Sequence, residues 1–145
     1  MKVLSLFDGI SCGMLALQRA GIPVECYDAF EIDKYAVTVS KRNFPVIVHH
    51  GNVYDGDFTQ FRGYDLLLGG SPCTYWSIAK KDREVDCNGE GFRLFKEYVR
   101  ALEESGCKYF LYENNYSVHQ RIKDEISKTL GVEPIMINSA LVSAQ

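Results

Sequence analysis

No stretch of this 145-residue chain is apolar for long enough to cross a membrane or to form the core of a secretory signal, and the first apolar run, Val3 to Phe7, is broken at once by Asp8 and Gly9. Five cysteines form an odd set with no C-x-x-C pair and no regular ladder, which argues against a disulfide framework and a zinc site and fits a reducing cytoplasm. Basic charge is not in excess. With 16 Lys and Arg against 19 Asp and Glu the formal net charge is -3, so a nucleic-acid partner would be held by a local patch or by parts outside this chain. Internal repeats and low-complexity tracts are missing too. What remains, 46% apolar and 24% charged residues, is the composition of one soluble domain with a real core.

Short apolar strands alternate with helical segments, the pattern of a parallel sheet covered on both faces. The strands are expected at Lys2 to Phe7, Val24 to Phe30, Val46 to Val48, Tyr64 to Leu68, Lys108 to Glu113 and Pro134 to Asn138. Helices are expected at Met14 to Ala20, closed by Gly21, at Lys34 to Asn43 before Pro45, at Phe92 to Ser105 before Gly106, and at Val118 to Leu130. Phe95, Tyr98 and Leu102 recur at helical spacing and read as core packing. The segment from Ser71 to Gly91 carries Lys80, Lys81, Asp82, Arg83 and Glu84 without an apolar face, and a loop this long is usually functional or mobile.

Three places carry candidate chemistry. Strand four runs into Gly69, Gly70, Ser71 and Pro72 and then presents Cys73; a thiolate is the strongest side-chain nucleophile near neutral pH, although free cysteines mostly act as small buried hydrophobes. Strand five delivers Glu113 at its carboxyl end, where open α/β sheets bind ligands, so Cys73 and Glu113 can face one site; the bland alternative is a solvated strand-end glutamate. The glycine turn after strand one is followed 22 residues later by Glu31, the separation at which an acid ending strand two can accept bonds from ribose hydroxyls. Because the turn is not a full G-x-G-x-x-G, a nucleoside without a pyrophosphate suits it better than a dinucleotide.

Taken in order, Phe7-Asp8-Gly9-Ile10-Ser11-Cys12-Gly13, Glu31-Ile32-Asp33, Gly69-Gly70-Ser71-Pro72-Cys73, Gly91-Phe92-Arg93-Leu94-Phe95 and Glu113-Asn114-Asn115 resemble successive motifs of the cytosine-5 DNA methyltransferases. The resemblance implies a Rossmann-like methyltransferase fold, mostly parallel with helices on both faces, and S-adenosylmethionine as cofactor. It assigns catalysis to Cys73, Glu113 and Pro72, and cofactor contacts to Phe7, Asp8, Gly9, Ile10, Gly13, Glu31, Ile32, Asn52, Val53 and Leu94. No metal is implied. Under this assignment the thiolate adds to carbon 6 of a cytosine flipped out of DNA, a protonated Glu113 assists at ring nitrogen 3, and carbon 5 becomes able to take the methyl group. Burial would keep Glu113 protonated, and the charged loop would close over the base.

Departures from the pattern sharpen these expectations. Asn52 stands where the family more often has aspartate, though its carbonyl can still accept from an adenine amino group. Asn115 replaces the last residue of a Glu-Asn-Val motif. The segment from Asn138 to Gln145 resembles the start of a Gln-x-Arg-x-Arg motif and stops at the glutamine, so residues 1–145 are expected to be an N-terminal catalytic portion, a fragment or one half of a split enzyme with little activity alone. A complementary subunit would then carry target recognition. The resemblance implies a cytoplasmic or nucleoid-associated protein of bacterial or phage origin. The alternatives are a non-catalytic nucleoside-binding regulatory module, an RNA cytosine methyltransferase of the same fold and, more distantly, an NAD-dependent oxidoreductase. The remaining cysteines and the three histidines read as packing or surface.

Overall fold

Residue alternation along the strands builds the architecture. In β1 (Lys2–Leu6) and β2 (Cys26–Phe30), Val3, Tyr27 and Ala29 join one apolar cluster while Leu4, Leu6 and Phe30 join another, the period-two pattern of strands buried on both faces. The structure is a computed structural model and describes residues 1–141. After β1 come α1 (Cys12–Arg19), β2, α2 (Lys34–Asn43), β3 (Val48–His49), β4 (Leu66–Gly69), α3 (Glu90–Ser105), β5 (Tyr109–Tyr112) and α4 (Gln120–Leu130). The five strands pair in the order β3-β2-β1-β4-β5, and every pairing is parallel.

Helix α1 covers one face through Met14 and Leu17, and α3 covers the other through Tyr98 and Ala101, whose cluster includes the buried Leu67. A third cluster joins α3 to α4 through Phe92, Phe95, Val118 and Ile122 around Trp76. Truncating a fully buried Leu67 to alanine should cost about 2–5 kcal/mol. The strand order reverses between β1 and β4, so the connections leaving these two strands diverge and open a crevice at their carboxyl ends.

The expected α/β alternation is therefore present, with two corrections. Pro134 to Asn138 forms no strand: the segment pairs with nothing among the described residues, and Ile135 and Ile137 are 87% and 77% exposed. Strand-forming residues do not make a strand without a neighbouring ladder. Between β3 and β4, where no element was expected, two single 3-10 turns, Val53–Asp55 and Phe58–Phe61, are capped by Asn52 and Asp57. Arg100 of α3 holds this linker by donating to the carbonyls of Val53 (3.0 Å) and Gly56 (2.9 Å), and its guanidinium lies 4.5 Å from the Phe58 ring centroid. Segments of three or four residues are too short to show periodicity. Gln145, assigned to the terminal motif, lies outside the described residues.

Candidate active site

The turn after β1 is bent by three left-handed residues, Phe7 (φ 56), Gly9 (φ 58) and Ser11 (φ 66). Two of them carry side chains, a conformation that persists only where surrounding contacts enforce it. The Asp8 carboxylate supplies many of those contacts. It accepts from Ser5 Oγ (2.6 Å), Tyr27 OH (2.7 Å) and Ser11 Oγ. Burial, then the neighbouring Asp8 charge, holds the Tyr27 phenol well above its usual range and keeps it a donor. Asp8 thus braces the turn from within. Gly13 also serves packing, because a Cβ there would meet Leu68 Cδ1 at 2.8 Å and Tyr27 OH at 2.9 Å.

The pairing expected between the glycine turn and strand two is direct: Gly9 N–H donates to Glu31 Oε2 at 2.8 Å. Glu31 Oε1 accepts from Ile32 and Asp33 N–H, both at 2.8 Å, and Asp33 caps α2 by accepting from Tyr35 N–H at 2.8 Å. Three backbone donors fix the carboxylate. A carboxylate offers about four lone-pair sites, so acceptor capacity remains for a hydroxyl ligand.

Glu31 lines a cleft of about 160 Å³ at the carboxyl ends of β1, β2 and β4. Seven of the residues assigned from the sequence line it: Phe7, Glu31, Ile32, Asn52, Val53, Leu94 and Pro72. Asp8, Gly9, Ile10, Gly13, Cys73 and Glu113 are not among its lining residues. Phe30, Gly51, Thr74 and Tyr75 also line it and were missed, although all but Tyr75 adjoin a residue that was named. Apolar walls and one anchored carboxylate fit a flat heterocycle with an attached sugar. Asn52 Oδ1 already accepts from Tyr54 N–H at 3.1 Å, leaving its second lone pair for a ligand.

Cys73 is exposed and opens a 3-10 turn, Cys73–Tyr75, whose end is fixed by Trp76 and Ser77 N–H donating to the Cys73 carbonyl at 3.0 and 2.8 Å. The loop before it is bound to the end of β5. Glu113 N–H donates to Gly69 O (2.9 Å), Asn114 Nδ2 donates to Ser71 O (2.9 Å), and Ser71 Oγ lies 2.6 Å from Tyr112 OH. A Cβ at Gly70 would collide with the Glu113 carbonyl oxygen and stand 3.5 Å from Glu113 Oε2. Glycine at position 70 therefore lets the Glu113 backbone pass beside the loop that carries Cys73. The burial expected for Glu113 is not found, since the residue is exposed just beyond the last residue of an edge strand.

Downstream of Cys73 the charged loop is pinned at one end. The Trp76 indole is fully buried and donates to Glu84 Oε2 at 3.2 Å, while Glu84 also accepts from Glu90 N–H (2.9 Å) and Gly91 N–H (3.1 Å). Glu84 so caps α3, whose own N-cap is the side-chain-less Gly89. Arg83 donates to Ser117 O at 2.9 Å, whereas Lys80, Lys81 and Asp82 are exposed. Among the described residues no group of three His, Cys, Asp or Glu is placed to hold a metal, and no helix is long and apolar enough to cross a membrane.

A family model for C-5 cytosine-specific DNA methylases matches residues 1–131. The orphan methyltransferase M.SPRI of Bacillus phage SPR is 38% identical over 118 residues, covering 79% of this chain and 26% of that protein. The type II methyltransferase M.HgiCII of Herpetosiphon aurantiacus is 34% identical over 116 residues, covering 78% of this chain and 25% of that protein. The chain thus spans about a quarter of the length of these relatives. Its fold is shared with Spodoptera frugiperda DNMT2 (TM-score 0.69, 22% identity, 90% of this chain and 40% of that one) and with S. pombe Dnmt2 methyltransferase (TM-score 0.63, 17% identity, 90% and 41%). With the motifs, the sheet order and the family match all in agreement over the same residues, this chain belongs to the C-5 cytosine-specific DNA methylases.

Proposed function

We propose that residues 1–145 form the catalytic and cofactor-binding portion of a DNA cytosine-5 methyltransferase, with Cys73 as nucleophile, Glu113 as acid and S-adenosylmethionine in the cleft beside Glu31. One observation carries this reading: Pro72 and Thr74, the two neighbours of Cys73, line the same cleft as Glu31 and Ile32. Cys73 is therefore held at the rim of that pocket, which supports its reading as the nucleophile.

Phe30, Ile32, Val53 and Leu94 would hold the adenine, and Glu31 the ribose hydroxyls. S-adenosylmethionine supplies the electrophilic methyl group. Carbon 5 of cytosine is too weak a nucleophile to take it unaided. The Cys73 thiolate forms a bond to carbon 6 while Glu113 gives its proton to ring nitrogen 3, so the electron pair of the 5,6 double bond becomes available at carbon 5. Carbon 5 would then bond to the methyl carbon as that carbon's bond to the sulfonium sulfur breaks and S-adenosylhomocysteine leaves; loss of the carbon 5 proton to a base and expulsion of the Cys73 thiolate would restore the double bond, with ring nitrogen 3 returning its proton to Glu113. Glu113 is exposed in this structure, so its carboxyl group is accessible to the edge of a flipped base that carries ring nitrogen 3.

Target recognition and efficient turnover are assigned to a further polypeptide segment, in the same chain or in a complementary subunit, because the relatives are about four times longer than the matched region. The same relatives, from a phage and a bacterium, support a bacterial or phage origin and work in the cytoplasm or nucleoid. Two measurements test the reading. Calorimetry should detect S-adenosylmethionine binding to the chain, and an oligonucleotide containing 5-fluorocytosine should form a slow covalent adduct lost in Cys73→Ser. Neither binding nor adduct would leave the reading untenable, and robust methylation by the chain alone would remove the need for a further segment.

A further inference from the structure

Behind the cofactor turn, side chains from three elements form one hydrogen-bonded chain. Ser11 Oγ donates to Asp8 Oδ2, Ser11 Oγ lies 2.6 Å from Ser40 Oγ of α2, and Ser40 Oγ lies 3.1 Å from Nε2 of His49 in β3. Ser11 and Ser40 are both fully buried. The chain has only one self-consistent polarity. Ser11 gives its single hydroxyl proton to the carboxylate and must accept from Ser40. Ser40 then has no proton left for His49 and must accept from Nε2–H. In a neutral ring this leaves Nδ1 as a bare lone pair, and Nδ1 is the buried side-chain atom that finds no partner among the described residues.

Nothing in the cleft explains these residues, since neither Ser40 nor His49 lines it. Serine is a poor choice inside a helix, and a buried hydroxyl without partners is costly, so Ser40 makes sense only as a link. The far end of the link is a turn whose left-handed Ser11 needs outside support. We propose that Ser40 and His49 are positioning residues for the cofactor turn: the His49 Nε2–H, passed on through Ser40 and Ser11, orients Asp8 and thereby keeps the Gly9 amide on Glu31 in the geometry that binds S-adenosylmethionine. The ligand named here rests on the methyltransferase reading above, whereas the bracing of the turn does not.

The test uses the 145-residue chain with Ser40→Ala, His49→Ala and His49→Gln, read by calorimetric titration with S-adenosylmethionine and by amide hydrogen exchange at Gly9. Both alanine variants should weaken cofactor binding by about threefold to tenfold, the worth of one or two lost hydrogen bonds, and speed exchange at Gly9. His49→Gln keeps an N–H at the Nε2 position and should restore both. Alanine variants that bind within about twofold of the unaltered chain with unchanged Gly9 exchange overturn the proposal, as does a glutamine variant no better than alanine. If the unaltered chain binds no S-adenosylmethionine, it is the methyltransferase reading that fails, and Gly9 exchange alone then decides: faster exchange in the alanine variants upholds the bracing, and unchanged exchange overturns it.

Discussion

The two halves of the crevice are built on opposite plans. At the ends of β1 and β2 each carboxylate is anchored: Asp8 takes three hydroxyl donors and Glu31 three backbone N–H groups. At the ends of β4 and β5 the backbone is tied just as firmly, through Asn114, Ser71 and Tyr112, but the Cys73 and Glu113 side chains are exposed. Under the proposed function, binding would be served by groups fixed in advance, and chemistry by groups mounted on a fixed frame and left free to meet a base that arrives from outside.

The sharpest way to separate the two plans is to remove the free groups. Cys73→Ser should reduce adduct formation on 5-fluorocytosine DNA to background, and Glu113→Gln should slow it by about 10²-fold or more, while neither changes S-adenosylmethionine affinity beyond about twofold. A matching loss of cofactor affinity would break the distinction. Glu31→Ala should do the converse to binding, lowering cofactor affinity by about 10²-fold, because it strips the proposed ribose acceptor and leaves three N–H groups without their partner. Equilibrium dialysis checks this.

A smaller effect tests the frame. Gly70→Ala forces a methyl group onto the Glu113 carbonyl and should lower stability by about 1–3 kcal/mol in urea denaturation, with adduct formation falling more than cofactor binding. The smallest effect concerns His49. Burial lowers its pKa below the ordinary 6.5, with Lys41 and His50 acting in the same direction and Asp8 and Glu31 against it. The unfolded chain therefore takes up the proton at a higher pH than the folded chain does. Stability should fall as pH drops from 6.5 through the lowered value, then level off. His49→Gln should flatten that part of the profile, and denaturation midpoints across about pH 5 to 7.5 would show it.

Much of this arrangement could be read from local order in the sequence. Apolar strands ending in glycines and the proline before Cys73 survive translation into three dimensions because each depends on a few adjacent residues, and the separation of Gly9 from Glu31 survives because a single strand-turn-helix-strand unit sets it. What stayed hidden depends on partners distant in sequence. That Asp8 faces inward is decided by Tyr27, and that Gly13 is required follows from Leu68 across the sheet. Glu84, six residues ahead of α3, carries no capping signature because its acceptors reach back over a loop. Pro134 to Asn138 has strand-forming residues, but the missing ingredient is a neighbour, which no local pattern contains. Glu113 is exposed just past the end of β5, an edge strand with no neighbour on its far side, as its reading as a solvated strand-end glutamate allows and the burial implied by the resemblance does not.

The buried indole at the base of the charged loop gives the molecule an optical probe of its own. Trp76 is the single tryptophan of the chain, wholly shielded from water and hydrogen-bonded to the carboxylate that pins the loop to α3. Its emission reports one place alone, three residues from Cys73. Release of Glu84 would expose the ring to solvent and shift that emission to the red. Any loop movement that accompanies the proposed capture of a base would thus be visible by stopped-flow fluorescence, with no dye attached.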